Sequence, residues 1–118
     1  MYNKHPSKSV EKRWLGRVAE YGCVITRQSN VQVHHCVGRE GKQDKRYIGR
    51  IFVLPLAFEL HDVSMSSNPF NITHHRKAFI SAYGREGLLF FDMCENLSCE
   101  EPLPFEDDDM IAILSSNR

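Results

Sequence analysis

Val31-Gln32-Val33-His34-His35-Cys36-Val37 alternates and is rich in β-branched residues, the pattern of a strand. Successive side chains of a flat strand point to opposite faces. Gln32, His34 and Cys36 then share one face, and Val31, Val33, His35 and Val37 share the other. His34 and His35 can address a single site only if the strand bends, or if one of them belongs to the core or to a supporting shell. The next apolar run, Ile51-Phe52-Val53-Leu54, reads as a second strand, and Pro55 ends it or marks a sheet edge. Between them, residues 38–49 form a basic, glycine-bearing loop, so the two strands make a long-looped hairpin.

Working outward, residues 1–8 read as a loose arm. Trp14, Leu15, Val18, Ala19 and Tyr21 recur at helical spacing, with Ser9 as a candidate N-cap and Gly22 as a stop. His61 to Asn71 is polar and reads as a loop. Asn71 or Thr73 can cap a helix that carries Phe79 and Tyr83 four residues apart and stops at Gly84. Leu88 to Met93 reads as a further helix. Within the acidic C-terminal tail of residues 100–118, Pro102 and Pro104 break the chain before a short acidic, apolar end from Glu106 to Leu114.

A chain of 118 residues fits one domain. No run of about 18 apolar residues is present, so no membrane span is expected. The N-terminal residues lack the apolar core of a secretory signal, which makes the cytoplasm the expected compartment. Without an export signal, Cys23, Cys36, Cys94 and Cys99 read as free thiols rather than disulfides.

Formal neutrality hides an asymmetry. Residues 1–50 hold 11 Lys and Arg against 4 Asp and Glu, whereas residues 51–118 hold 4 against 11. A basic half suits a phosphate backbone, and an acidic tail suits a protein partner or shielding of that basic surface. The tail allows two readings: a last helix with Glu106, Asp107, Asp108 and Asp109 at its electropositive start, or acids that compete with DNA phosphates for the basic loop.

Five of the six histidines, His34, His35, His61, His74 and His75, fall within 42 residues. Neutral imidazole is the commonest protein metal ligand and the usual base near neutral pH. The order strand, loop, strand, helix can bring such residues to one cation beside a phosphate oxygen and a water.

His34-His35-Cys36-Val37-Gly38, Val53-Leu54-Pro55-Leu56, His61-Asp62, Thr73-His74-His75-Arg76-Lys77-Ala78-Phe79 and Tyr83-Gly84 together resemble the phage and prophage HNH endonucleases of the Ref type, which are RecA-dependent nucleases acting in recombination. The resemblance spans roughly residues 14–94. It implies an α+β fold with a ββα-metal core and flanking helices, one divalent ion (Mg2+, Mn2+ or Zn2+), and hydrolysis of DNA phosphodiesters in a bacterial cytoplasm. It implies His34 and His74 (or the neighbouring His75) as metal ligands, His35 as general base, and His61 as a further ligand or orienting group. Arg39, Lys42, Lys45, Arg46 and Arg50 become the expected DNA contacts, with the RecA filament as an expected partner.

The chain also departs from that pattern. Cys23-Val24-Ile25-Thr26 stands where relatives carry a Cys-x-x-Cys pair, and Ala57 follows Leu56 where another cysteine is usual. The structural zinc of those relatives is therefore expected to be lost, leaving the core to Trp14, Phe52, Leu56, Phe58 and Phe79. The strand-two asparagine of the HNH name is replaced within Arg50-Ile51-Phe52-Val53. These departures keep open a rival from another class, a catalytically silent DNA- or recombinase-binding module on the same fold.

Overall fold

The computed structural model describes residues 4–118. The elements run α1 (Lys8–Tyr21), β1 (Val31–His35), β2 (Lys42–Gln43), β3 (Arg46–Tyr47), β4 (Val53–Ala57), α2 (Phe58–His61), α3 (Arg76–Tyr83), α4 (Glu86–Leu97) and α5 (Asp107–Ser115). This is an α+β domain with a small antiparallel sheet. Of the N-terminal arm, residues 1–3 lie outside the described part, and the helix begins earlier than its pattern indicated. Ser7, not Ser9, accepts from Val10 N at 3.3 Å and caps α1.

β1 and β4 pair antiparallel from Val31 opposite Ala57 to His35 opposite Val53. Pro55 does not end the second strand. It sits inside β4 opposite Val33, where its missing N–H is tolerated because, among the described residues, β4 pairs on one side only. Its carbonyl accepts from Val24 N at 3.1 Å. The strand Val53–Ala57 is buried along its whole length, which explains its unbroken apolar run. The basic loop is not irregular: Lys42–Gln43 and Arg46–Tyr47 form a second, two-residue ribbon. Gly49 lies against the loop's first turn, where a Cβ would stand 2.1 Å from the Gly38 carbonyl, so no other residue fits without moving backbone.

The core forms where α1, α4 and α5 close over the hairpin. Trp14, Phe52, Leu56 and Phe79 are fully buried, and Phe90 stacks with Phe105 and meets Trp14 and Phe52 edge to face. Trp14 Nε1 donates to the Ile51 carbonyl at 2.9 Å, which locks α1 onto the turn before β4. Phe58 is the exception among the expected core residues. It begins α2 and is 45% exposed.

Asn71 organises the segment between α2 and α3, and it is completely buried. Its amide donates to the carbonyls of Glu59 (3.2 Å) and Asp62 (3.0 Å), and its Oδ1 accepts from Thr73 N and His74 N. These bonds explain why the helix starts at Arg76 rather than at Asn71: the asparagine caps a preceding turn instead. Gly84, at φ 101°, ends α3.

The acidic end is a helix. Glu106 and Asp109 form a reciprocal capping box at its start, Ala112 and Ile113 enter the core, and Arg85 donates to the carbonyls of Leu114 and Ser116 at its end. Two outcomes follow for equilibrium denaturation. Asn71→Ala strands several buried backbone groups, so stability should fall by about 1–3 kcal/mol or more. Deleting residues 102–118 should abolish cooperative unfolding, because it removes Ile113 and uncovers Phe90; a truncated chain that still unfolds cooperatively would show the helix to be dispensable.

Candidate functional site

The pleat of β1 separates its two histidines. His34 faces α4, where its Nε2 lies 2.7 Å from Glu86 Oε1. His35 faces α1 instead. It lines a cavity of about 330 Å3 with Lys8, Glu11, Lys12, Leu15 and Arg39, and its buried Nε2 has no hydrogen-bond partner among the described residues. Burial lowers the pKa of His35, so it is uncharged near neutral pH. The structure therefore does not bring His35 to the side of the strand on which His34 works.

His61, the last residue of α2, comes close to His34 instead, with ring centroids 5.1 Å apart. A short relay orients it. Gln32 Nε2 donates to Asp62 Oδ1 at 2.8 Å, which turns Gln32 Oε1 toward His61 Nδ1 at 2.6 Å. His61 therefore carries its proton on Nδ1 and keeps a lone pair on Nε2. Burial, followed by the neighbouring His34, lowers the His61 pKa and favours the neutral ring. Hydrogen bonds from Gln32 and from the hydroxyl and backbone N–H of Ser64 bring Asp62 down to about 2, so the far end of the relay stays ionised.

Glu86 is the residue that sequence reading missed. It opens α4, is completely buried, and receives His34 on Oε1 and Arg76 on Oε2, the latter at 2.6 and 3.1 Å. Burial works against its charge, but the bonds from His34 and Arg76 outweigh this and hold the carboxyl below its ordinary range. Cys36 is also buried, and burial together with the adjacent Glu86 charge raises its thiol pKa. The ligand atoms of His34, Cys36 and Glu86 all lie within 4.8 Å of one another, so this cluster could hold a metal ion. Strand alternation had already placed Cys36 on the face of His34; nothing local in Tyr83-Gly84-Arg85-Glu86 marks Glu86 for burial.

The doubled histidines take another part. His74 Nε2 donates to the Val63 carbonyl at 2.6 Å, and His75 Nε2 donates to the Ser66 carbonyl at 2.8 Å. Both are exposed and tie the loop after α2 to the start of α3. Neither they nor His61 belong to the clustered ligand set.

The basic residues of the loop are largely engaged within the chain. Arg39 pairs with Glu11 at 3.2 Å, Arg50 pairs with Glu40 at 2.8 Å, and Arg46 bridges Asp109 (2.9 Å) and Glu106 (3.2 Å). The Lys42 ammonium lies 4.4 Å from the centre of the Tyr47 ring, and Lys45 is exposed at the ribbon's turn. Among the described residues no helix is long and apolar enough to cross a membrane. Comparison with protein-family models, with curated proteins and with solved structures finds no match to this chain.

Proposed function

We propose that this chain is a metal-dependent endonuclease hydrolysing DNA phosphodiesters, with His61 as its general base. The observation that carries the reading is the Asp62–Gln32–His61 relay, which leaves an uncommitted imidazole lone pair beside His34. A base oriented by a hydrogen-bonded carboxylate-ended chain is the arrangement that proton abstraction from water requires. His34, Cys36 and Glu86 offer nitrogen, sulfur and carboxylate donors within one small volume, which fits a divalent cation that accepts sulfur beside nitrogen and oxygen, such as Zn2+. Such an ion supplies, when bound, positive charge for the phosphate oxygens and the leaving oxygen.

The remaining steps belong to the protein. His61 Nε2 takes a proton from the attacking water as Gln32 holds the ring through Nδ1. Asp62, ionised at the end of the relay, stabilises the imidazolium that results. His35, on the other face of β1, has no part in this scheme. DNA as the substrate, a phage or prophage setting in a bacterial cytoplasm, and action with a RecA filament rest on the resemblance of the histidine motifs. Arg39, with its side chain 58% exposed, is the arginine most open to phosphate contact, whereas Arg46 is held by the buried Asp109.

A specific observation also favours the silent binding module: Arg39, Arg46 and Arg50 are each paired with carboxylates, and His34 is paired with Glu86. A nicking assay on supercoiled DNA with added Mg2+, Mn2+ or Zn2+ separates the two readings. His61→Ala should reduce the cleavage rate by about 100- to 10,000-fold and leave DNA retention unchanged. DNA retention without cleavage by the parent chain would establish the binding module instead.

The pH dependence has a definite sign. His61 acts as a neutral base and its pKa is lowered from 6.5. The acid limb of the rate profile should therefore lie below pH 6.5, with activity lost only as pH falls through the lowered value. Gln32→Ala, which removes the oriented partner and opens the ring to water, should move that limb toward higher pH. A profile unchanged by this substitution would detach the relay from catalysis.

A further inference from the structure

We propose that His34, Cys36 and Glu86 form a thiolate-containing site selective for zinc-class transition metals over magnesium. This assignment rests on the metal-dependent reading above and deepens it, because it commits Cys36 as a thiolate ligand and names the class of ion. It differs from the histidine-only set that the motifs implied, since His74 is committed to the Val63 carbonyl.

Three features of the cluster support it. His34 lies in β1 and Cys36 in the turn that follows it, and their ligand atoms come within 4.8 Å of each other and of Glu86. Glu86 approaches from α4 with its two oxygens divided: Oε2 is held by Arg76, and Oε1 faces His34. A carboxylate fixed through one oxygen and offered through the other is how supporting residues usually orient a metal ligand. The fit in size is also close. His34 Nε2 and Glu86 Oε1 stand 2.7 Å apart across a shared proton. Two donors on one tetrahedral ion, each bonded at about 2.0–2.1 Å, stand about 3.3 Å apart, so this pair has to open by only about 0.6 Å to take an ion.

Sulfur decides the metal. Thiolate is a soft ligand that magnesium does not favour, whereas zinc and cobalt bind nitrogen, sulfur and carboxylate together. Binding replaces the Cys36 S–H bond with a metal–sulfur bond and releases that proton to solvent. The His34–Glu86 proton also leaves if Nε2 becomes the ligating nitrogen.

The test is a cobalt(II) titration of the metal-free full-length chain, read by absorption. The expected result is a near-ultraviolet thiolate-to-cobalt charge-transfer band that zinc abolishes and a large excess of magnesium does not. Cys23→Ser, Cys94→Ser and Cys99→Ser should keep the band. Cys36→Ser should lose it and weaken zinc binding by about 10-fold or more, the least expected when even an outer-shell partner is worth that much. His34→Ala and Glu86→Gln disturb a buried ion pair, so each counts only if circular dichroism shows it folded. Cys36→Ser, nearly equal in size, keeps the test decisive. Absence of the band from the parent chain, or its persistence in Cys36→Ser, overturns the site. Magnesium-supported cleavage without the band would overturn this site and leave the nuclease reading standing. The band without cleavage under any metal would do the reverse.

Discussion

Glu86 has no solvent exposure, and removing a carboxylate from water is costly unless it is paired and hydrogen-bonded. Its two oxygens are met by His34 from β1 and Arg76 from α3, while its own backbone begins α4. One buried charge thus ties three elements together, β1 lying 52 residues away in sequence from the start of α4. Losing one partner of a buried pair typically costs about 3–5 kcal/mol, because the survivor remains charged without compensation. The register of β1 on β4, the approach of α3 and the start of α4 must therefore agree for Glu86 to be tolerated. This same agreement brings Cys36 and His61 beside His34.

The charge asymmetry of the chain has an internal use. Arg13 pairs with Glu101, Arg17 donates to the carbonyls of Leu97, Glu101 and Pro102, and Arg46 bridges Asp109 and Glu106. The basic first half is thus fastened to the acidic second half, and the end helix is both a core element and a counter-charge to the ribbon. The tail is a helix with its acids at the positive start, and two of them, Glu106 and Asp109, pair with Arg46. A nucleic acid approaching this face meets paired arginines, so its binding has to replace internal ion pairs as well as release counterions.

Much of the local structure was legible. Alternation over Val31–His35, the helical spacing around Trp14 and Val18, and the Gly84 stop each depend on neighbours within one turn or one pleat. Boundaries shifted where a side chain chose a non-obvious partner: Ser7 capped α1 ahead of Ser9, and Asn71 capped a turn rather than a helix. Pro55 remained within its strand because no third strand among the described residues needs its N–H. Phe58 is exposed at the start of the short helix α2, to which the sequence reading assigned no element.

By itself the sequence determined the ingredients of the site: paired strands, histidines at their ends, and the sharing of one strand face by Gln32, His34 and Cys36. Those conclusions follow from backbone geometry with a period of two residues, which no distant contact can alter without a bulge. Which histidines meet was decided only in three dimensions. His61 reaches His34 because α2 turns back over the hairpin, whereas His74 and His75 are spent on the carbonyls of Val63 and Ser66. Glu86 joined the cluster for the same reason, since burial of a charge depends on partners 10 and 52 residues away. A one-dimensional pattern records residue type and local period; it does not record which buried polar groups must find one another once the core closes.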